Sequence, residues 1–146
     1  YARDRGSAVH LAAMYHAQGD LDESSLSDDV LGYFNAYKAF LDDVKPEILG
    51  SEIPVENKDL GYCGTADLFL KIHGRKGTLD LKCGAPSCWH PLQLAAYNGC
   101  YQEPLARWNL YLKPSGNYSL VEHKGRQDWA VFKAVLLLAQ WRKANG

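Results

Sequence analysis

The sequence predicts a mixed α/β domain, and three features point there. Two early stretches carry apolar residues at helical spacing, and a middle block switches to period-two alternation. The last third then supplies a short helix, a hairpin and a strongly apolar closing helix, giving the order α-α-β-β-β-α-β-β-α around a central mixed sheet. The chain has 146 residues, 47% hydrophobic and 23% charged, which fits one globular domain over residues 1–146 rather than a disordered chain.

Arg5 to Gln18 reads as a helix that is apolar nearly all round (Ala8, Val9, Leu11, Ala12, Ala13, Met14, Tyr15) and therefore buried. A polar loop from Gly19 follows. Ser27 is the expected N-cap of a second helix, with Asp28 and Asp29 in its first turn and an end near Val44, before Pro46. Its apolar face is Val30, Leu31, Phe34, Tyr37, Phe40 and Leu41. Strands are expected over Ile48–Val55, Gly64–Ile72 and Gly77–Cys83, then a helix over Pro91–Cys100 that starts at its proline. Arg107–Leu112 and Tyr118–Glu122 should pair as a hairpin around Pro114 to Asn117, and the last helix should span Gln127–Lys143.

Sixteen basic and 17 acidic residues leave a net charge of −1, which excludes a protein that coats nucleic acid by bulk basicity. The charge is unevenly placed. Residues 1–60 carry 12 acids and 5 bases, whereas residues 61–146 carry 5 acids and 11 bases. A solvated surface explains this asymmetry as well as a polyanionic partner does. No apolar run approaches the ~18 residues of a membrane helix, so no membrane partner is expected. The start lacks the apolar segment of a signal peptide and begins with Tyr1 rather than Met, from which residues upstream are expected. Cys63, Cys83, Cys88 and Cys100 are read as free thiols in a reducing, cytoplasmic compartment.

The chemistry concentrates in one predicted hairpin. Alternation puts Asp67 on the face shared by Thr65, Phe69 and Lys71, and puts Asp80 and Lys82 on the face shared by Thr78. A two-residue turn at His73-Gly74 sets Asp67 opposite Asp80; one at Gly74-Arg75 sets it opposite Lys82. Either register gathers all three on one face. Adjacent carboxylates repel unless a cation sits between them, and Mg²⁺ or Mn²⁺ with oxygen ligands would remove the conflict. An exposed Asp–Lys pair worth ~0.5 kcal/mol is the competing reading, and spacing alone does not separate the two.

Asp67, twelve intervening residues and then Asp80-Leu81-Lys82 resemble the D…(D/E)xK core of the PD-(D/E)XK nuclease superfamily. Gly6 to His10 resembles the upstream helix of RecB-like nucleases, where a histidine joins the metal site. Ser51-Glu52-Ile53-Pro54 resembles the glutamate strand that precedes the aspartate hairpin, and Gln93 to Tyr97 resembles the QxxxY helix. Together these cover residues 6–100 in order, and the likeness is greatest to RecB-like and phage-type exonucleases.

The resemblance implies a restriction-endonuclease-like core and Mg²⁺- or Mn²⁺-dependent hydrolysis of DNA phosphodiesters to 5′-phosphates, in recombination, repair or phage DNA processing. It implies His10, Asp67, Asp80 and the Leu81 carbonyl as metal ligands. Lys82 would position or activate water, and Glu52 would serve a second metal or a water. Gln93 and Tyr97 would contact DNA. Arg75, Lys76, Lys113, Lys124 and Arg126 are the basic residues expected to track the backbone, with Arg3 and Arg5 flanking the cleft. Trp89 and His90 are expected either to stack on bases or to pack in the core. Small relatives thread DNA ends through a ring or channel, which leaves room for a homo-oligomer. The bacterial or phage-infected cytoplasm is the implied setting. No iron–sulfur cluster is expected, because no cysteine follows Cys100. A structure-specific endonuclease on the same core and a non-catalytic nucleic-acid-binding module are the alternatives.

Overall fold

A computed structural model describes residues 2–146. Helix α1 spans Ala2–Gln18, and helix α2 spans Asp28–Val44. A 3₁₀ turn at Glu23–Ser25 lies between them, where Asp22 accepts the Ser24 backbone N–H at 3.0 Å. Ser27 stands at the N-cap of α2, yet its backbone carbonyl rather than its hydroxyl takes the first helical N–H groups, those of Val30 and Leu31. Lys45 closes the helix in the left-handed region.

Five strands form one sheet in chain order: β1 (Glu47–Asn57), β2 (Tyr62–Ile72), β3 (Arg75–Lys82), β4 (Ala106–Leu112) and β5 (Tyr118–Glu122). Neighbours are antiparallel except β3 and β4, which are parallel and joined by helix α3 (His90–Asn98), as a parallel pair requires a crossover. Helix α4 (Asp128–Asn145) ends the chain. The order of helices and strands matches the expected one.

The β2–β3 turn decides between the two registers. His73 and Gly74 both have positive φ, 50° and 79°, as a two-residue hairpin turn of the I′ kind demands. Leu68 therefore pairs with Leu79 and Ile72 with Arg75, and extension of that register brings Asp67 opposite Asp80.

One sheet face carries Leu68, Leu70, Leu79, Leu81 and Leu110, packed against Val9, Ala12 and Ala13 of α1 and Phe34, Tyr37 and Phe40 of α2. Each fully buried aromatic or leucine there contributes about 1.5–3 kcal/mol. The opposite face holds Thr78, Asp80 and Asn109, buried in part beneath α3, where Thr78 donates to Asn98 at 2.5 Å.

One helix departs from expectation. Helix α1 starts three residues early and is not buried all round: Leu11 and Tyr15 are exposed, because only the stripe at Val9, Ala12 and Ala13 meets α2 and the sheet. Helix α4 is strongly apolar, as expected, but none of its residues is buried. Among the described residues, no helix is long and apolar enough to cross a membrane.

Candidate active site

The site forms where α1 lies against the middle of β1 and β2 and the end of β3. A cleft of about 570 Å³ opens there, with Arg3, Arg5, Ser7 and His10 of α1 on one wall and Glu52, Asp67 and Lys82 on the other. A cavity of this size admits a small ligand or part of a polymer.

Three donor side chains converge in it. His10, Glu52 and Asp67 can each offer one ligand atom, all within 4.8 Å of one another. Each arrives by a different local device. His10 lies one residue beyond the buried Val9 of α1, and its ring meets Asp67 in the middle of β2. Glu52 lies in β1 with φ of +50°, a conformation that costs a non-glycine residue on the order of 1 kcal/mol. An upstream β-bulge sets its phase: the β1–β2 register shifts between Ile48 and Gly50. Without the inserted Leu49, Ser51 would occupy the place of Glu52 opposite Asp67.

Asp67 ties the two β-strands to the helix. Its Oδ1 lies 3.1 Å from His10 Nδ1, and its Oδ2 accepts the Leu81 backbone N–H at 2.8 Å. The side chain thus takes a strand N–H just beyond the last paired residues of the β2–β3 ladder, Leu68 and Leu79. Burial disfavours the charged form of His10, but the hydrogen bond and charge of Asp67, with the charge of Asp80, outweigh it and raise the His10 pKa. Burial and the nearby Asp67 charge likewise raise the pKa of Glu52.

Asp80 is placed differently from the other acids. It is 2% exposed, off the cleft wall, with Oδ2 2.7 Å from Lys82 Nζ. That contact is an ion pair but lies off the direction of a hydrogen bond, so Oδ2 is buried without a hydrogen-bonding partner. Burial and the Asp67 charge push the Asp80 pKa well above the carboxylate range, against the opposing pull of Lys82. Lys82 donates to Gln93 Oε1 at 2.9 Å, and Gln93 Nε2 donates to the Tyr97 hydroxyl at 2.9 Å. The two α3 residues are one turn apart and share a face. Gly64 leaves room for the Tyr97 ring, since a Cβ there would stand 3.0 Å from Tyr97 Cε1.

The arrangement brings together His10, Glu52, Asp67, Asp80, Leu81, Lys82, Gln93 and Tyr97. Among the described residues, the donor trio within 4.8 Å contains Glu52, while Asp80, also expected as a ligand, lies behind it beside Asp67 and Lys82. The basic residues divide. Lys113 follows β4 at the sheet end that carries Lys82, because β3 and β4 are parallel. Arg75 and Lys76 begin β3, seven and six residues from Lys82, which at about 3.3 Å per residue places them roughly 20 Å away. There Arg75 makes two hydrogen bonds to Glu122, and Lys76 lies 3.9 Å from Glu103. Lys124 pairs with the same Glu122 at 3.6 Å. Arg75, Lys76 and Lys124 are therefore not brought to the site. Trp89 is exposed rather than packed in the core, and His90 Nδ1 contacts the Tyr111 hydroxyl at 2.8 Å.

Polar residues that sequence reasoning did not single out lie on the face of Asp80 and Lys82. Asn109 and Tyr111 are paired with them across β3–β4, and Asn109 is fully buried and hydrogen-bonded to His123 at 2.7 Å. A buried polar residue at alternate positions of Arg107-Trp108-Asn109-Leu110-Tyr111 is the signal that could have marked them.

No protein-family model and no curated protein matches this chain. Among solved structures, it is similar to the crystal structure of SSO0001, with a TM-score of 0.45 and 15% identity over 86% of this chain and 68% of that one.

Proposed function

We propose that this chain is a metal-dependent DNA nuclease of the PD-(D/E)XK, RecB-like type, on a restriction-endonuclease-like core. It acts as an exonuclease that hydrolyses phosphodiester bonds to leave 5′-phosphates. The observation that carries this reading is the convergence of His10, Glu52 and Asp67 within 4.8 Å in a cleft also lined by Lys82.

The donors suit a divalent cation. Two carboxylates and one imidazole form a nitrogen–oxygen set that favours Mn²⁺ over Mg²⁺. Bound there, such an ion would polarise a phosphodiester and supply hydroxide near neutral pH. The protein's own groups do the rest. Arg3 and Arg5 line the cleft wall with positive charge suited to a phosphate. Lys82, held between Asp80 and Gln93, is placed to orient water and to stabilise charge developing on the phosphoryl oxygens.

The test is incubation of linear and circular DNA, single- and double-stranded, with Mg²⁺, Mn²⁺ or EDTA. Loss of linear DNA from its ends, with circles intact and EDTA inhibitory, is expected. Absence of any metal-dependent cleavage would overturn the assignment, and cleavage of circles would make the enzyme an endonuclease.

A further inference from the structure

Helix α4 has two apolar stripes, and the fold uses only one. Trp129, Phe132, Leu136 and Gln140 recur at helical spacing toward the body of the protein. Phe132 stacks on Trp129 and meets the Tyr62 ring edge-on, and Gln140 donates to the Leu60 carbonyl. The other stripe faces water: Val131, Val135, Leu137, Leu138 and Trp141 are all exposed, the last three by 68%, 59% and 62%. Five large side chains leave on the order of 500 Å² of apolar surface on one helix, the upper end of what a monomer tolerates.

From this face we propose that the protein dimerises through α4, packed antiparallel against α4 of a second copy. The stripe itself favours a helix of the same sequence. Val131, Ala134, Leu138 and Trp141 follow 3-4-3 spacing, the seam of a two-helix contact. With the two-fold axis at Leu136, Ala134 meets Leu138 of the second copy and Val131 meets its Trp141, each a smaller side chain against a larger one. Val135 and Arg142 flank this seam at a seven-residue interval. Asp128 does not join it, because its carboxylate is held by Arg107 at 2.7 Å. In the antiparallel register the helix dipoles are opposed. The area agrees: two such faces with their alanines bury about 1,200 Å², the lower bound of a specific interface, which makes the dimer a weak one.

Sedimentation velocity on the full chain from about 1 to about 200 µM tests this, with half-dimerisation expected in the tens of micromolar. Leu138→Lys should leave the protein folded, because its side chain is exposed, and monomeric throughout. A wild-type protein that stays monomeric leaves this face to some other occupant and overturns the proposal. A dimer undisturbed by Leu138→Lys overturns it too. None of these readings depends on nuclease activity.

Discussion

Glu52 faces Asp67 across the β1–β2 ladder, between the pairs Ser51–Leu68 and Ile53–Ala66, and it does so in a left-handed backbone conformation. Strain at that residue and the donor cluster are two sides of one arrangement, since the same φ helps deliver the carboxylate to His10 and Asp67. Glu52→Gly should therefore raise the stability of the metal-free protein by about 0.5–1 kcal/mol while weakening Mn²⁺ binding at least tenfold. Denaturant unfolding in EDTA and calorimetric titration with Mn²⁺ would show the two effects with opposite signs. A variant that is less stable and binds metal normally would contradict the arrangement.

Lys82 is held by Asp80 on one side and by Gln93, backed by Tyr97, on the other. Lys82→Met keeps the stem and removes the ammonium, so cleavage should fall by about 10²–10³ with Mn²⁺ affinity little changed. Gln93→Leu loosens the ammonium without deleting it and should cost about tenfold in rate. Tyr97→Phe removes only the acceptor of Gln93 and should cost less again. Initial rates at saturating metal would rank the three, and equal losses would argue against a positioning role for α3.

The basic residues separate by the end of the sheet they occupy. Lys113→Ala should weaken DNA binding and lower the salt dependence of binding by about one counterion. Arg75→Ala should leave both unchanged, because its guanidinium is committed to Glu122 at the far end. Binding titrations across a salt series, with metal replaced by Ca²⁺ to hold back cleavage, would distinguish them.

Much of this site was legible because strands have a period of two. Alternation alone placed Asp67, Asp80 and Lys82 on one face, and His73-Gly74 offered the turn that fixes their register. The Leu49 bulge was not legible, since an inserted leucine in an apolar strand looks like any other strand residue. Nor was the exposed side of α1. A helix apolar nearly all round reads as buried, and only the packing shows that a single stripe is covered. The grouping of Arg75 with Lys82 failed for a geometric reason: strand-mates on one hairpin are not neighbours when most of a strand separates them.

Asp80, His10 and Glu52 all bind protons more tightly in the fold than in the unfolded chain, which sets the sign of the site's contribution to the pH dependence. A raised pKa contributes stability that is fully present below the unfolded value and lost as pH rises through the folded one. For Asp80 that window runs from about 4 to about 7, and His10 extends it upward from 6.5. These three groups therefore make metal-free protein lose stability as pH rises through that window, while His90 and His123, lowered by burial, and Glu122, lowered by Arg75, act in the opposite sense. Asp80→Asn should flatten the lower part of that slope and be more stable than the wild type at pH 8, because the buried negative charge beside Asp67 is gone. Mn²⁺ should reverse the trend, since a cation competes with protons for these donors and binds best when they are deprotonated. Unfolding curves at a series of pH values in EDTA and in Mn²⁺ would measure both slopes. A slope in EDTA that Asp80→Asn leaves unchanged would mean that the acids do not share the environment described.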